Sequence, residues 1–272
     1  MKAAMIAVFM VALCAGCRPI LKSEALARSL NRPGAKELTR GQLVIHSNFN
    51  VPKRHRLLDE LSMRRHDVTS TLGIPASDEP IHIYLFEDQN RFTEYMRRRH
   101  PLFPDRRAFF IKDDTHLMVY AWWGSRVGED LRHEVTHGYL HSVINDVPLW
   151  LDEGIAEYFE TPRSNRGFNS AHFHLLLKKY DAGEWHPDLT RLETLKNASA
   201  LTQMDYTESW LRVHYMLHHS SETLELLRDY IGVLRLNPGE AGLLEDRLTA
   251  SEKDDTELLN HLEYLRRTIG AN

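Results

Sequence analysis

The chain has 272 residues, of which 42% are hydrophobic and 26% are charged, and these are ordinary values for a folded globular protein. Its formal net charge of −4 argues against a protein that binds nucleic acid through bulk positive charge, so we expect no nucleic-acid partner. The 16 histidines draw attention to metal binding instead, because neutral imidazole is the commonest protein ligand of zinc and copper.

The N-terminus carries the pattern of an export signal. Lys2 precedes an apolar run over 3–16, which is shorter than the ~20 residues that span a bilayer as a helix. Its end, Cys-Ala-Gly-Cys at 14–17, resembles the lipobox of bacterial lipoproteins, which implies cleavage before Cys17 and acylation of that cysteine. Cys14 stands where leucine is usual, so cleavage at a nearby small residue and an ordinary signal both stay open. We expect 1–17 to be a signal peptide and the exported body to be held at a membrane through Cys17, in the periplasm or outside the cell.

The next two segments differ in pattern. Residues 18–40 mix isolated apolar residues with charges and contain Asn-Arg-Pro-Gly at 31–34, which predicts a tether with a weak helix. Residues 41–124 predict an α/β lobe with a small mixed sheet, in which Asp113-Asp114 joins the last two strands as a hairpin. The strand patterns of this lobe lie at 42–49, 81–86, 107–112 and 116–122, and its helical patterns at 52–72 and 87–99.

Residues 125–272 predict a helical lobe, because strand patterns nearly vanish after Gly124. Its helical patterns lie at 128–144, 150–160, 169–181, 205–219, 222–235, 240–250 and 254–268. The chain as a whole is therefore expected to have an α+β fold, with the α/β lobe followed by the helical lobe.

A metal-binding pattern lies in the first of these helices. His133-Glu134-Val135-Thr136-His137 is an H-E-x-x-H sequence, and residues four apart lie on one helix face. Both imidazoles can therefore reach one tetrahedral zinc ion, with Glu134 beside it as a general acid and base. A zinc site needs a third protein ligand, and His141 cannot supply it because it lies about 12 Å from His133 along the helix axis.

The segment Pro-Leu-Trp-Leu-Asp-Glu-Gly-Ile-Ala-Glu-Tyr-Phe at 148–159 resembles the second motif of the gluzincins, the thermolysin-like and aminopeptidase-like zinc peptidases. The full run is most similar to the peptidase MA-like domains of exported bacterial proteins. This resemblance implies a zincin-like fold with a cleft between the lobes, Zn²⁺ as cofactor, and Glu153 as its third ligand. It also implies that Glu157 holds a histidine ligand from outside the coordination shell.

A gluzincin also needs a donor to the oxyanion that forms when water attacks a carbonyl. Tyr206 matches the place where related domains carry a tyrosine before a helix, and His214 is the second candidate. Packing of both side chains in a helical core is the alternative. The resemblance further implies that the strand over 116–122 borders the cleft and pairs with an extended peptide.

Two functions of different classes follow. The first is a zinc peptidase, and because the G-x-M-E-N run of aminopeptidases is absent from the sequence, we expect an endopeptidase or a hydrolase of cell-envelope amides. The second is a lipid-anchored binding or assembly protein that keeps the fold and the zinc without turnover. Outside the cleft, the basic run over 97–99 with Arg106 and Arg107 could steer an acidic substrate or anionic lipid, although a solvated helix end is the plainer interpretation.

Overall fold

A computed structural model of the chain describes residues 32–251 and 255–269. The predicted signal peptide, its Cys17 and the greater part of the predicted tether lie outside the described residues. The tether was predicted to reach residue 40, but Lys36–Arg40 form a strand that pairs with the next one. Leu38 and Thr39 lie between charged residues in a pattern that is too short to stand out in sequence, and the neighbouring strand stabilises this one.

Five strands form one mixed sheet in the order β1-β2-β3-β5-β4. Their bounds are β1 Lys36–Arg40, β2 Leu43–Ser47, β3 Ile81–Phe86, β4 Ala108–Lys112 and β5 Leu117–Trp122. The two outer pairs, β1 with β2 and β4 with β5, are antiparallel, and β2, β3 and β5 are parallel to one another. The hairpin predicted around Asp113-Asp114 is the antiparallel pair β4 and β5.

The alternation along β3 gives the sheet two different faces. Ile81, Ile83 and Leu85 belong to the main apolar core of the molecule. Tyr84 and Phe86 point to the other face and belong to a smaller aromatic cluster. Two helices of this lobe pack on opposite faces, α1 Arg56–Leu72 in the main core and α2 Gln89–Arg99 in the aromatic cluster.

The rest of the described chain is helical, and together with the sheet it confirms a mixed α+β fold. Its helices are α3 Val127–His141, α4 Leu149–Glu160, α5 Ser170–Asp181, α6 Leu189–Thr194, α7 Gln203–His218, α8 Ser221–Leu236, α9 Leu244–Ala250 and α10 Asp255–Ile269. Helix α6 was missed in the sequence because it is only six residues long and lies between two loops. In the described ranges, no helix combines the length and the apolar character that crossing a bilayer requires.

The strand at the edge of the sheet differs from the prediction. Residues 116–122 were expected at the edge, but β5 is hydrogen-bonded to β3 on one side and to β4 on the other. On this side of the described sheet the edge strand is β4, which pairs with β5 in the hairpin. Local sequence patterns indicate that a strand exists but carry no information on its position in the sheet. Which of the two hairpin strands lies at the edge could therefore not be predicted.

Candidate metal centre

Helix α3 carries both motif histidines because one of its faces packs on the sheet. Leu131, Val135 and Leu140 are buried in the main core. At Gly138, an added Cβ would lie 3.0 Å from side-chain atoms of Ile81 on β3, so the helix approaches the sheet closely there. The opposite half of the helix, with His133, is half-buried at the wall of a cleft.

Helix α4 brings the third candidate ligand to the same place. Its Trp150 and Ile155 side chains are fully buried, and they fix the face on which Glu153 lies. Next to that residue, an added Cβ on Gly154 would lie 2.5 Å from the backbone oxygen of Ser209 on α7. Glycine therefore allows α4 to contact the backbone of α7, which sets the depth of Glu153 in the site.

The structure brings His133, His137 and Glu153 together with ligand atoms facing one another. The two histidine Nε2 atoms are 3.3 Å apart, and they lie 3.4 Å and 3.6 Å from Glu153 Oε2. In a tetrahedral zinc site with ordinary bond lengths, two ligand atoms are about 3.3–3.5 Å apart. Glu153 Oε2 is buried and, within the described residues, makes no hydrogen bond. The donor set and its spacing thus suit a small divalent cation, and the three residues could hold one.

Asp152 fixes the orientation of the second histidine. Its Oδ1 is 2.8 Å from His137 Nδ1, and its Oδ2 is 2.9 Å from His141 Nε2. If His137 Nδ1 donates its proton to Asp152, the lone pair of Nε2 is left for a metal ion. Burial alone would raise the pKa of Asp152, but His137 and His141 hold it well below its usual range. His141 therefore contacts Asp152 and is not part of the cluster of His133, His137 and Glu153, in agreement with its exclusion as a third ligand there.

The carboxylate beside the first histidine differs from the predicted one. His133 Nδ1 is 3.3 Å from Glu160 Oε2, whereas Glu157 Oε2 is 2.8 Å from His172 Nε2. Glu157 does lie within 4.8 Å of His133 and Glu160, but its hydrogen bond goes to the other histidine. The reason is that His172 on α5, which no sequence motif indicates, lies closer to it. Glu160 could have been found in the sequence, since it follows Glu153 by two helical turns on one face.

Glu134 lies beside the ligand cluster at the wall of the cleft. It is half-buried and lines the same cavity of about 510 Å³ as His133 and His137. Burial raises the pKa of Glu134, while the two histidines act in the opposite direction. Glu134 lies next to the three candidate ligands but is not one of them, so its carboxylate can accept or donate a proton near them.

The two candidate oxyanion donors lie in different environments. Tyr206 on α7 is half-buried, and its hydroxyl accepts a hydrogen bond of 2.9 Å from Arg106 Nη2. Burial and then the charge of Glu153 raise the pKa of Tyr206, and the hydrogen bond joins its hydroxyl to Arg106, which lines the cavity.

His214 lies in the helical core instead. It is 5% exposed, and its Nδ1 is 2.9 Å from His261 Nε2 on α10. Burial and then His218 lower its pKa to about 2. This second candidate for the donor therefore packs among other histidines, because its turn of α7 faces α10.

The helices of this site match a known family. A model described as Protein of unknown function (DUF1570) matches residues 130–233. This segment of the chain is similar to that family. It contains the three candidate ligands, Glu134 and Tyr206, and no protein among those that have been curated matches the chain.

The other wall of the cleft lies outside the DUF1570-like segment. It comprises the loop before β4 and the start of that strand, including Phe103, Arg106 and Phe110. Asn197 and Ser199, within the segment, approach from the loop before α7. The sequence pattern placed Arg106 only in a basic group that could steer an acidic substrate or anionic lipid, and it could not predict the contact with Tyr206, which joins residues 100 positions apart.

Proposed function

We propose that the protein is a zinc-dependent peptidase of the gluzincin type. The observation that carries this proposal is the triangle of two imidazole nitrogens and one buried carboxylate oxygen, at tetrahedral spacing, with Glu134 beside it in a cleft. His133, His137 and Glu153 would hold the ion. When bound there, zinc supplies Lewis-acid polarisation of an amide carbonyl and lowers the pKa of a water molecule.

Glu134 is proposed as the group that moves the proton. It would accept a proton from the attacking water and deliver it to the amine that leaves when the amide bond breaks. A base of this kind works best when its pKa lies near the working pH, and burial raises the pKa of Glu134 in that direction. A site that only bound a metal ion would not require a carboxylate such as Glu134 beside its ligands.

Tyr206 is proposed as the donor to the developing oxyanion. A guanidinium can only donate hydrogen bonds, so the Tyr206 oxygen must accept the bond from Arg106. The tyrosine keeps its own proton to donate elsewhere, and the charge of Arg106 makes it a better donor. A donor held in place before the reaction stabilises the transition state without reorganisation.

The walls of the cleft support a proposal for the substrate class. Strand β4 presents a free edge, and its Ala108 and Phe110 line the cavity, so an extended peptide can pair with it as an additional strand. The absence of the aminopeptidase run supports cleavage within a peptide or of an amide in the cell envelope.

One experiment tests ligands and chemistry together. Metal analysis of the purified protein should give one zinc per chain, and alanine at His133, His137 or Glu153 should abolish high-affinity binding. Glu134→Gln should keep the zinc and the fold but lose about 10²–10⁴ in the rate of hydrolysis of a diverse peptide library. Activity that survives this substitution would require a different catalytic residue and would refute the mechanism.

The same experiment distinguishes the second function. A zinc-loaded wild-type protein that cleaves no amide, and whose cellular role is equally served by Glu134→Gln, would instead be a binding or assembly protein. Retention of a carboxylate beside the ligands favours the peptidase, because a structural zinc site has no use for a base.

We further propose export and lipid anchoring through Cys17, which rests on the lipobox-like sequence alone. Cys17→Ser should release the protein from the membrane fraction, and mass spectrometry should show acyl chains on the mature N-terminus of the wild type. Two or three chains would make the anchor stable. An unmodified terminus that begins elsewhere would remove this proposal and leave that of the peptidase intact.

A further inference from the structure

Arg106 occupies a distinct position at the rim of the cleft. It is exposed, precedes β4, and lines the cavity opposite Glu153 and Asp152. Of the residues that line this cavity in the described part of the chain, it alone is lysine or arginine. Arginine presents five N–H donors in a planar fork, of which one nitrogen contacts Tyr206.

The neighbouring residue, Arg107, forms structural ion pairs with carboxylates in the same segment. Arg107 Nε is 2.7 Å from Asp130 Oδ1, and its Nη2 is 3.0 Å from Glu129 Oε1. Within the described residues, Arg106 forms no such pair with a carboxylate, and its hydrogen bond goes to a neutral phenol. Glu134 and Glu153 act on it electrostatically from across the cleft, but both are committed to the metal centre.

The wall around Arg106 is apolar. Leu102 is 96% exposed and Phe103 is 43% exposed, and both line the cavity with Pro104. A cation without a carboxylate partner, next to exposed apolar side chains at the mouth of a cleft, is suited to a ligand that has an anionic group beside an apolar one.

We propose that Arg106 is a specificity-determining residue that binds a carboxylate of the peptide substrate, with Leu102 and Phe103 against the adjacent apolar side chain. This proposal rests on the peptidase function for its substrate but not for its test, since binding is measured without turnover. The carboxylate can come from an acidic side chain or from the C-terminus of the peptide.

The test uses matched peptides that differ by one negative charge. One set has Glu or Gln at a single internal position, and the other has a free or an amidated C-terminus. Dissociation constants are measured by fluorescence anisotropy on the zinc-loaded, full-chain Glu134→Gln protein, and kcat and KM on the wild type. The variants are Arg106→Gln and Arg106→Lys, with Arg99→Gln, an exposed charge on α2 that does not line the cavity, as the control.

We expect the acidic member of one set to bind about 5- to 20-fold more tightly than its neutral partner. Arg106→Gln should remove this preference, Arg106→Lys should keep part of it, and Arg99→Gln should retain it. The set in which the preference appears identifies the source of the carboxylate.

Two results would overturn the proposal. The first is a charge preference that persists in Arg106→Gln or is missing from the wild type. The second is an equal loss of kcat for both members of a pair with unchanged KM, which would mean that Arg106 acts through Tyr206 alone. If no peptide is cleaved, the peptidase proposal fails, yet the binding measurements still decide the role of Arg106.

Discussion

At the scale of single residues, the candidate metal centre depends on side chains that form hydrogen bonds with the candidate ligands. The H-E-x-x-H sequence predicted that His133 and His137 share a helix face, because that spacing is local. It could not predict that Asp152 joins His137 to His141, since a carboxylate next to Glu153 in sequence could equally face solvent. The contact depends on how α4 lies against α3, which is tertiary information.

Asp152→Asn should weaken zinc binding about 10- to 100-fold without abolishing it. The amide can still contact His137 but no longer offers a negatively charged acceptor to its Nδ1–H, so the ligand becomes less basic and less well oriented. Competition with a chelator measures the dissociation constant. Asp146→Asn, an exposed carboxylate before α4, is the matched control. Equal affinities of the two variants would show that Asp152 does not support the ligand.

At the scale of elements, helix bounds were predicted well and their mutual arrangement was not. Helix α1 ends at Leu72, as the following Gly73 predicts, because Gly73 adopts a left-handed conformation with φ 70°. The edge position of β4 and the direction of His214 depend instead on packing between segments distant in sequence. Sequence patterns could give the elements and the ligand motif, while the second wall of the cleft required the structure.

Gly154→Ala should lower the free energy of unfolding by about 1–3 kcal/mol. Its Cβ would meet the backbone oxygen of Ser209 at 2.5 Å, and a backbone atom cannot move aside as a flexible side chain can. Gly232→Ala on α8 is the control, because an added Cβ there meets nothing within 4 Å. That variant should be neutral or more stable by up to about 1 kcal/mol. Urea unfolding of both variants measures this free energy. A Gly154→Ala variant that is as stable as the wild type would contradict the close contact.

At the scale of the whole molecule, one apolar core joins the two lobes. It contains Ile83 and Val119 from the sheet as well as Val135 and Trp150 from the helical lobe. Helix α3, which carries the candidate ligands His133 and His137, therefore has the sheet as its packing surface. The smaller aromatic cluster belongs to the α/β lobe alone, but the main core is shared by the two lobes.

Residues 125–272 expressed alone should therefore fail to fold cooperatively. The face of α3 with Leu131, Val135 and Leu140 would be left without its partner and exposed to water. Thermal unfolding and zinc titration of this fragment, compared with 32–272, provide the check. A cooperative fragment that binds zinc as tightly as the longer chain would show two independent domains.

Stability should fall in acid because of histidines buried in the helical lobe. Burial, and then the neighbouring histidines His219 and His218, lower the pKa of His261 to about 4. The unfolded chain, with a histidine pKa near 6.5, binds more protons below that pH than the folded chain does. The free energy of unfolding is therefore unaffected by this group above about pH 6.5 and decreases as the pH falls toward about 4.

Replacing His261 with Gln should reduce this acid sensitivity. The difference in unfolding free energy between wild type and variant should change by about 3 kcal/mol between pH 7 and pH 4. His66→Gln, at an exposed site on α1, should leave the pH dependence as it is in the wild type. Chemical denaturation at several pH values measures both. Parallel profiles for the wild type and His261→Gln would contradict the assignment.

The contact at Gly154 also limits how the cleft can adapt to its contents. Because α4 lies against the backbone of α7 at Gly154, we expect the helices that carry Glu153 and Tyr206 to resist moving apart to admit a bulkier molecule. We therefore expect adjustment to the width of different substrates mainly in the opposite wall, the loop over 100–107. Residues in that loop, rather than those around the ligands, are the positions at which selection or engineering can broaden what the cleft accepts while leaving the chemistry in place.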